Sequence, residues 1–200
     1  MTKITSDLAI SLDGFAAGLN QSLENPFGEG VRDRLHRWRF EEPDENAAEI
    51  AAITTAGAYI MGRNMFSPGR GAWDPEWQGW WGDEPPYHAP VFVLTHHPRE
   101  PLPMEGGTTF TFVTDGIESA LAQAREAAGD ADVAIAGGAQ VVRQYLSAGL
   151  IDELRLHVAP ELLGAGERLL DGVTGLTLEP LSVRGTDLVT HMSYRVRSAQ

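Results

Sequence analysis

Through its first three quarters the chain alternates short apolar runs with amphipathic stretches, and then the alternation stops. A strand–helix alternation of that kind folds as an α/β domain, because each helix crosses back over the sheet to start a parallel strand. Lys3 to Ser11 reads as the first strand, closed by the turn-forming pair Asp13-Gly14. A helix is expected from Val31 to Phe40, with Leu35 and Trp38 on one side. A second is expected from Asp44, a good N-cap, to Gly57, a good C-terminal residue. Ala58 to Met61, Val91 to Thr95, Thr109 to Val113 and Val133 to Ala136 read as short buried strands, with helices over Ile117 to Ala128 and Ala139 to Ala148. Beyond them, Leu154 to Ala159, Leu176 to Val183 and Leu188 to Val196 follow one another with no helix between. The pattern therefore predicts a mostly parallel sheet that ends in antiparallel strands, in a single domain spanning residues 1–200.

Charge narrows the function. The formal net charge is -13, with 15 Lys and Arg against 28 Asp and Glu. A general nucleic-acid binder needs a basic face to displace counterions, and this surface would repel nucleic acids and anionic membranes alike. A small-molecule protein with one local anion site is expected. The absence of cysteine excludes disulfides, thiolate metal sites and a cysteine nucleophile, and agrees with a reducing, cytoplasmic location. No stretch is long and apolar enough to read as a membrane span.

Four segments carry candidate chemistry. Gly137-Gly138 stands between a strand and a helix, where free helix amides and a close-lying backbone can take a phosphate; the same pair also suits a plain tight turn. Met61-Gly62-Arg63-Asn64-Met65-Phe66 leaves a buried strand, and a glycine beside an arginine there suits an oxyanion. Thr95-His96-His97 follows another strand. Neighbours in extended chain point to opposite faces, so phosphate donors fit these residues better than a metal site, and no metal is expected. Ser11 to Gly18 leaves the first strand as a small-residue loop able to lie over a flat ring. His36, His88, His157 and His191 belong to no motif. The region from 68 to 90 holds four of the five tryptophans and reads as an ordered loop. Neither the dinucleotide fingerprint G-x-G-x-x-G nor a nucleophile elbow occurs, and Gly164-Ala165-Gly166 resembles only the start of the former.

Taken in order, Ser11-Leu12-Asp13-Gly14, Met61-Gly62-Arg63, Val93-Leu94-Thr95, Gly137-Gly138, Gly149-Leu150-Ile151-Asp152-Glu153-Leu154 and Pro160-Glu161-Leu162-Leu163-Gly164-Ala165-Gly166 resemble a known family. It is the C-terminal reductase domain of the bifunctional riboflavin-biosynthesis deaminase–reductase (RibD), within the dihydrofolate-reductase-like superfamily. The resemblance implies a three-layer α/β fold with a mixed central sheet, and NADPH bound across the carboxyl edge of its strands. It implies that Gly62, Arg63, Asn64 and Met65 hold cofactor phosphates, with Leu94, Thr95 and His96 near the adenosine 2′-phosphate. Gly137, Gly138, Ala139, Gln140 and Val141 would lie at the pyrophosphate, and Ala9, Ile10 and Gly18 at the nicotinamide. The implied reaction is hydride transfer to a C=N or C=O bond of a small heterocycle, either a ribosylaminopyrimidine or a pteridine such as dihydrofolate. Asp33 falls in the segment where dihydrofolate reductases carry a proton-managing carboxylate, with Asp13 as a second candidate. A homodimer is also implied. Arg32, Arg34, Arg37 and Arg39 offer either a second anion site or a solvated face. The competing reading is a non-catalytic nucleotide-binding or scaffold protein on the same fold.

Overall fold

The computed structural model describes residues 2–31, 33–67, 69 and 71–199. Nine strands form one sheet. Its parallel centre is made of β1 (Ile4–Ser11), β3 (Ala58–Gly62), β4 (Pro90–Leu94), β6 (Thr109–Val113), β7 (Val133–Gly137) and β8 (Glu153–Ala159). The short β5 (Leu102–Pro103) runs antiparallel to β6 at one edge. At the other, β10 (Leu176–Gly185) and β11 (Thr190–Ser198) form a long antiparallel pair beside β8. The order across the sheet is β10-β11-β8-β1-β7-β3-β4-β6-β5. Two further short strands, β2 (Phe15–Ala17) and β9 (Glu167–Arg168), pair with each other outside it.

The expected α/β fold with its antiparallel end is thus the observed one. β3 is buried at all five positions, as a strand covered on both faces must be. One face lies under α4 (Ile117–Ala128) and α5 (Ala139–Ser147), whose apolar stripes pack on Ile4, Leu8, Ile60, Ile135 and Leu156 in the main core. The other face is covered by α1 (Arg37–Glu41), α2 (Ala47–Ile53), the four-residue α3 (Arg63–Phe66) and the tryptophan loop. A 3-10 turn (Glu105–Gly107) precedes β6.

Two helices are shorter than their patterns predict. Between Val31 and Arg39 several backbone amides bond three residues back, namely Arg34 to Val31, His36 to Asp33 and Arg39 to His36. This is a string of tight turns, and an α-helix begins only at Arg37. The amphipathic prediction for the side chains still holds, since Leu35 and Trp38 are both buried. α2 runs over Ala47–Ile53 instead of from Asp44 to Gly57. Its end is set by Thr54 and Thr55, whose hydroxyls bond to the carbonyls of Ala51 and Ala52.

Candidate functional site

Because β1, β7, β3 and β4 are adjacent and parallel, their carboxyl ends bring four distant segments to one rim. Ligands of open α/β sheets bind at such a rim. Leu94 pairs in register with Gly62, and Thr95 follows, its amide donating to Val113 O at 3.0 Å. A Cβ on Gly62 would stand 2.7 Å from Val141 Cγ2, so only glycine lets the end of β3 meet the first turn of α5. Gly137 has φ 126°, a value side chains rarely adopt, and its Cβ position lies 3.4 Å from Met65 Sδ. The peptide between Gly137 and Gly138 is cis. In front of Gly138 the space is open, with nothing within 4 Å of where its Cβ would be. The first amides of α5, on Ala139 and Gln140, have no partner within the helix by construction, so this rim offers free N–H groups and room beside them.

Arg63, the first residue of α3, lays its guanidinium 4.0 Å over the Trp73 ring and donates through Nη2 to Ala72 O at 3.4 Å. Trp73 is itself fixed by an Nε1 bond to His97 O at 2.7 Å. On the same ring, at 5.7 Å, lies Arg99, which the sequence reading missed. Its guanidinium also covers Phe112, and desolvation pulls its pKa down. Two arginines thus flank one indole beside Thr95, a local basic point on an acidic protein. No sequence signal marks Arg99, because the contact arises only when the loop folds back. Asn64 and His96 are exposed beside this point, while Met65 is half-buried and Gln140 exposed at the rim.

The loop leaving β1 is clamped down. Ser11 Oγ donates to Asp13 Oδ1 at 2.6 Å, and the amides of Leu163 and Gly164 donate to the same carboxylate at 3.1 and 2.7 Å. These bonds, the Ser11 hydroxyl first, hold the Asp13 pKa down to about 2, so this carboxylate is a clamp and carries no proton near neutrality. Gly166 fits for the same reason. Its φ is 136°, and a Cβ there would stand 2.0 Å from Ala17 O. β2 is held against β9, and Arg168 lies 4.5 Å over the Phe15 ring. Gly18, whose amide donates to Phe27 O at 2.7 Å, continues this flap toward Val31. Ala9 and Ile10 sit two and one residues before the end of β1. Ala9 packs toward Val31 and Leu35, and Ile10 toward the main core.

Asp33 lies exposed in the turns before α1. Among the described residues, Arg34, Arg37 and Arg39 form no joint anion site. Arg34 is paired with Glu161 at 2.5 Å and Arg37 with Glu41 at 2.8 Å, while Arg39 is half-buried beside Tyr87, its pKa lowered by burial. Arg32 lies outside the described residues.

Beneath α1 and α2 the structure assembles a second group of polar residues. Asp7, His157 and His191 share one sheet face with Arg155, and Asn46 reaches them from the start of α2. Trp38 packs on both histidines, at 4.9 and 5.1 Å. His36 stacks on Phe27 at 4.5 Å, and burial holds its pKa down to about 4. Among the described residues no group of three or more His, Asp or Glu is arranged to hold a metal, and no helix is long and apolar enough to cross a membrane.

The profile of the RibD C-terminal domain matches residues 2–190. The uncharacterised Bacillus subtilis (strain 168) protein YyaP is 24% identical over 171 residues, covering 84% of this chain and 79% of its own. A Shewanella sp. PV-4 protein provisionally assigned to riboflavin biosynthesis superposes with a TM-score of 0.66 at 23% identity, covering 98% of this chain and 99% of that one. A pyrimidine reductase-like protein of Corynebacterium diphtheriae gives 0.57 at 14% identity, over 98% and 92%. The Thermotoga maritima diaminohydroxyphosphoribosylaminopyrimidine deaminase/5-amino-6-(5-phosphoribosylamino)uracil reductase gives 0.55 at 15%, over 97% of this chain but 56% of its own.

Proposed function

The chain belongs to the RibD C-terminal domain family, and from that premise we propose that it is an NADPH-dependent reductase of a small heterocycle. The observation that carries the reading is the glycine rim. Gly62 and Gly137 bring two strand ends against α5, Gly138 leaves open space before its first amides, and Arg63 and Arg99 stand over Trp73 alongside. A pyrophosphate suits the amides and a 2′-phosphate dianion suits the paired guanidiniums. The open space beside Gly138, next to the first amides of α5, is what supports this cofactor from the chain's own geometry.

Bound there, NADPH would supply the hydride. The chain would hold its phosphates through Gly62 to Met65, Leu94 to His96 and Gly137 to Val141, and keep its ring near Ala9, Ile10 and Gly18. The clamped flap from Phe15 to Gly18 would exclude water from that end. The substrate we infer is a ribosylaminopyrimidine of the kind named for the Thermotoga enzyme, or a pteridine. The same family membership suggests an intracellular enzyme that acts as a homodimer.

The test is a set of stopped assays of NADPH oxidation with 5-amino-6-(5-phosphoribosylamino)uracil and with dihydrofolate. Saturable, substrate-dependent oxidation by either supports the reading. NADPH binding without turnover of any pyrimidine or pteridine favours a scaffold instead.

A further inference from the structure

The polar group beneath α1 and α2 has a hydrogen-bond order that can be worked out atom by atom. Asn46 Nδ2 donates to the carbonyls of Trp38 and Glu42, so its Oδ1 is an acceptor. His191 Nε2 lies 2.8 Å from that oxygen and must donate to it. Burial, with His157 as the next cause, holds the His191 pKa down to about 4, so near neutral pH the ring has no second proton. Its Nδ1 is bare, and it lies 2.7 Å from His157 Nδ1. That contact needs one proton, and His157 must supply it.

The other nitrogen of His157, Nε2, faces Asp7 Oδ1 at 3.8 Å, and the two side chains are only 4% and 6% exposed. Among the described residues neither atom has a hydrogen-bond partner. A bare ring nitrogen aimed at a carboxylate oxygen is repulsive, whereas a protonated one makes an ion pair in a medium that screens poorly. Both residues also line a cavity of about 60 Å³, with Arg155, Arg184, His191 and Ser193 among its other walls. That is room for water, and a route by which a proton could be replaced.

We propose that Asp7 and His157 hold a buried proton, with His157 as an imidazolium, and that the cleft consumes this proton when it reduces a C=N or C=O bond. The second half rests on the function proposed above. Its geometric basis is register. His157 pairs with Ala9 on the neighbouring strand, on the same face, so its backbone lies one strand spacing, about 4.8 Å, from that of the residue expected at the nicotinamide. The balance is simple. Hydride brings two electrons to the substrate carbon. The His157 Nε2–H bond breaks as its proton passes to water in the adjoining cavity, and a proton from that water goes to the substrate nitrogen or oxygen. A neutral imidazole, still bonded to His191 through Nδ1–H, and NADP+ remain. Water through the cavity then recharges the ring. His191 and Asn46 are positioning residues that fix which nitrogen is bare. The other charged or titratable groups around His157 are Arg155 and Glu153 on β8, Arg184 on β10, Glu49 on α2, Arg39 on α1 and, neutral near pH 7, His36 in the turn before it.

The deciding experiment labels the full chain uniformly with 15N and reads long-range 1H–15N correlations of the histidine rings, together with the backbone amide correlations, near pH 7, before and after NADPH. His157 should show both nitrogens protonated and His191 only Nε2, assignments being made with His157→Gln and His191→Gln. NADPH should shift the His157 signals, and 2′,5′-ADP, which lacks the nicotinamide, should not. A neutral His157 in the wild-type protein overturns the stored proton. An imidazolium that NADPH leaves unmoved, while the Gly138 amide shifts, overturns its role in the cleft and leaves cofactor binding intact. If NADPH moves neither signal, the cofactor reading fails and the proton-source role falls with it. Asp7→Asn should abolish the imidazolium pattern; its persistence in a folded variant overturns the pair.

Discussion

On the sheet face opposite α4 and α5, β3, β4 and β6 are covered by tryptophans, whereas β1, β8 and β11 are covered by histidines and carboxylates. Trp73, Trp77 and Trp81 close over Phe66, Val91, Val93 and Phe110, and Trp77 donates its indole N–H to Phe66 O at 2.9 Å. That covering is mainly aromatic, and buried large rings contribute strongly to stability. The other covering leaves buried polar atoms on Asp7 and His157 without partners and depresses the pKa of two histidines. A buried ion pair is weak support for a fold, since burial costs the charges about what their attraction returns. The contrast teaches that the two halves of one face do different work. One holds the sheet together and carries the loop that positions Arg63 and Arg99, and the other holds protons.

The largest effect should come from breaking the aromatic half. Phe110 is fully buried against Phe66 and Trp81, and Phe110→Ala should cost about 3–5 kcal/mol in urea unfolding, by a similar amount at pH 5 and pH 8. The polar half should respond to pH instead. His36 and His191 have pKa values near 4 in the folded chain against an ordinary 6.5. The unfolded chain therefore binds more protons between these values. Their contribution is fully present above about 6.5 and is lost as pH falls toward 4, by on the order of 2 kcal/mol or more. His191→Gln should flatten that dependence in the same denaturation series, and an unchanged slope would break the contrast.

On turnover, His157→Gln should slow NADPH oxidation about 100-fold in steady-state assays, with NADPH affinity changed less than about twofold. The smallest effect belongs to the rim's basic point. Arg63→Ala should weaken NADPH about tenfold in a fluorescence titration and NADH much less, and equal weakening would show that the arginine does not read the 2′-phosphate.

The aromatic half and the glycine rim were legible in the sequence because their signals are local. An apolar run bounded by turns gives β3 and β4, and Gly62 and Gly137-Gly138 mark strand ends where backbone must approach backbone. Clustered tryptophans had to pack somewhere. The polar half was not legible. His157 and His191 stand 34 residues apart and meet only because β8 and β11 pair antiparallel in one particular register. The turns before α1 and α1 itself bury Leu35 and Trp38 at helix-like spacing while Arg34, His36 and Arg39 bond three residues back, so periodicity could not distinguish this segment from one continuous helix. Arg99 gained its role from a loop folding onto β6, and β2, β5 and β9 are too short to show an alternation at all.

The central claim, that the glycine rim and its two arginines form an NADPH site, is tested most directly by titrating the protein with NADPH and NADH under the same conditions and following nicotinamide fluorescence. Saturable binding with a clear preference for NADPH is the predicted result. No binding of either nucleotide would contradict the account and reduce the glycines to ordinary turns.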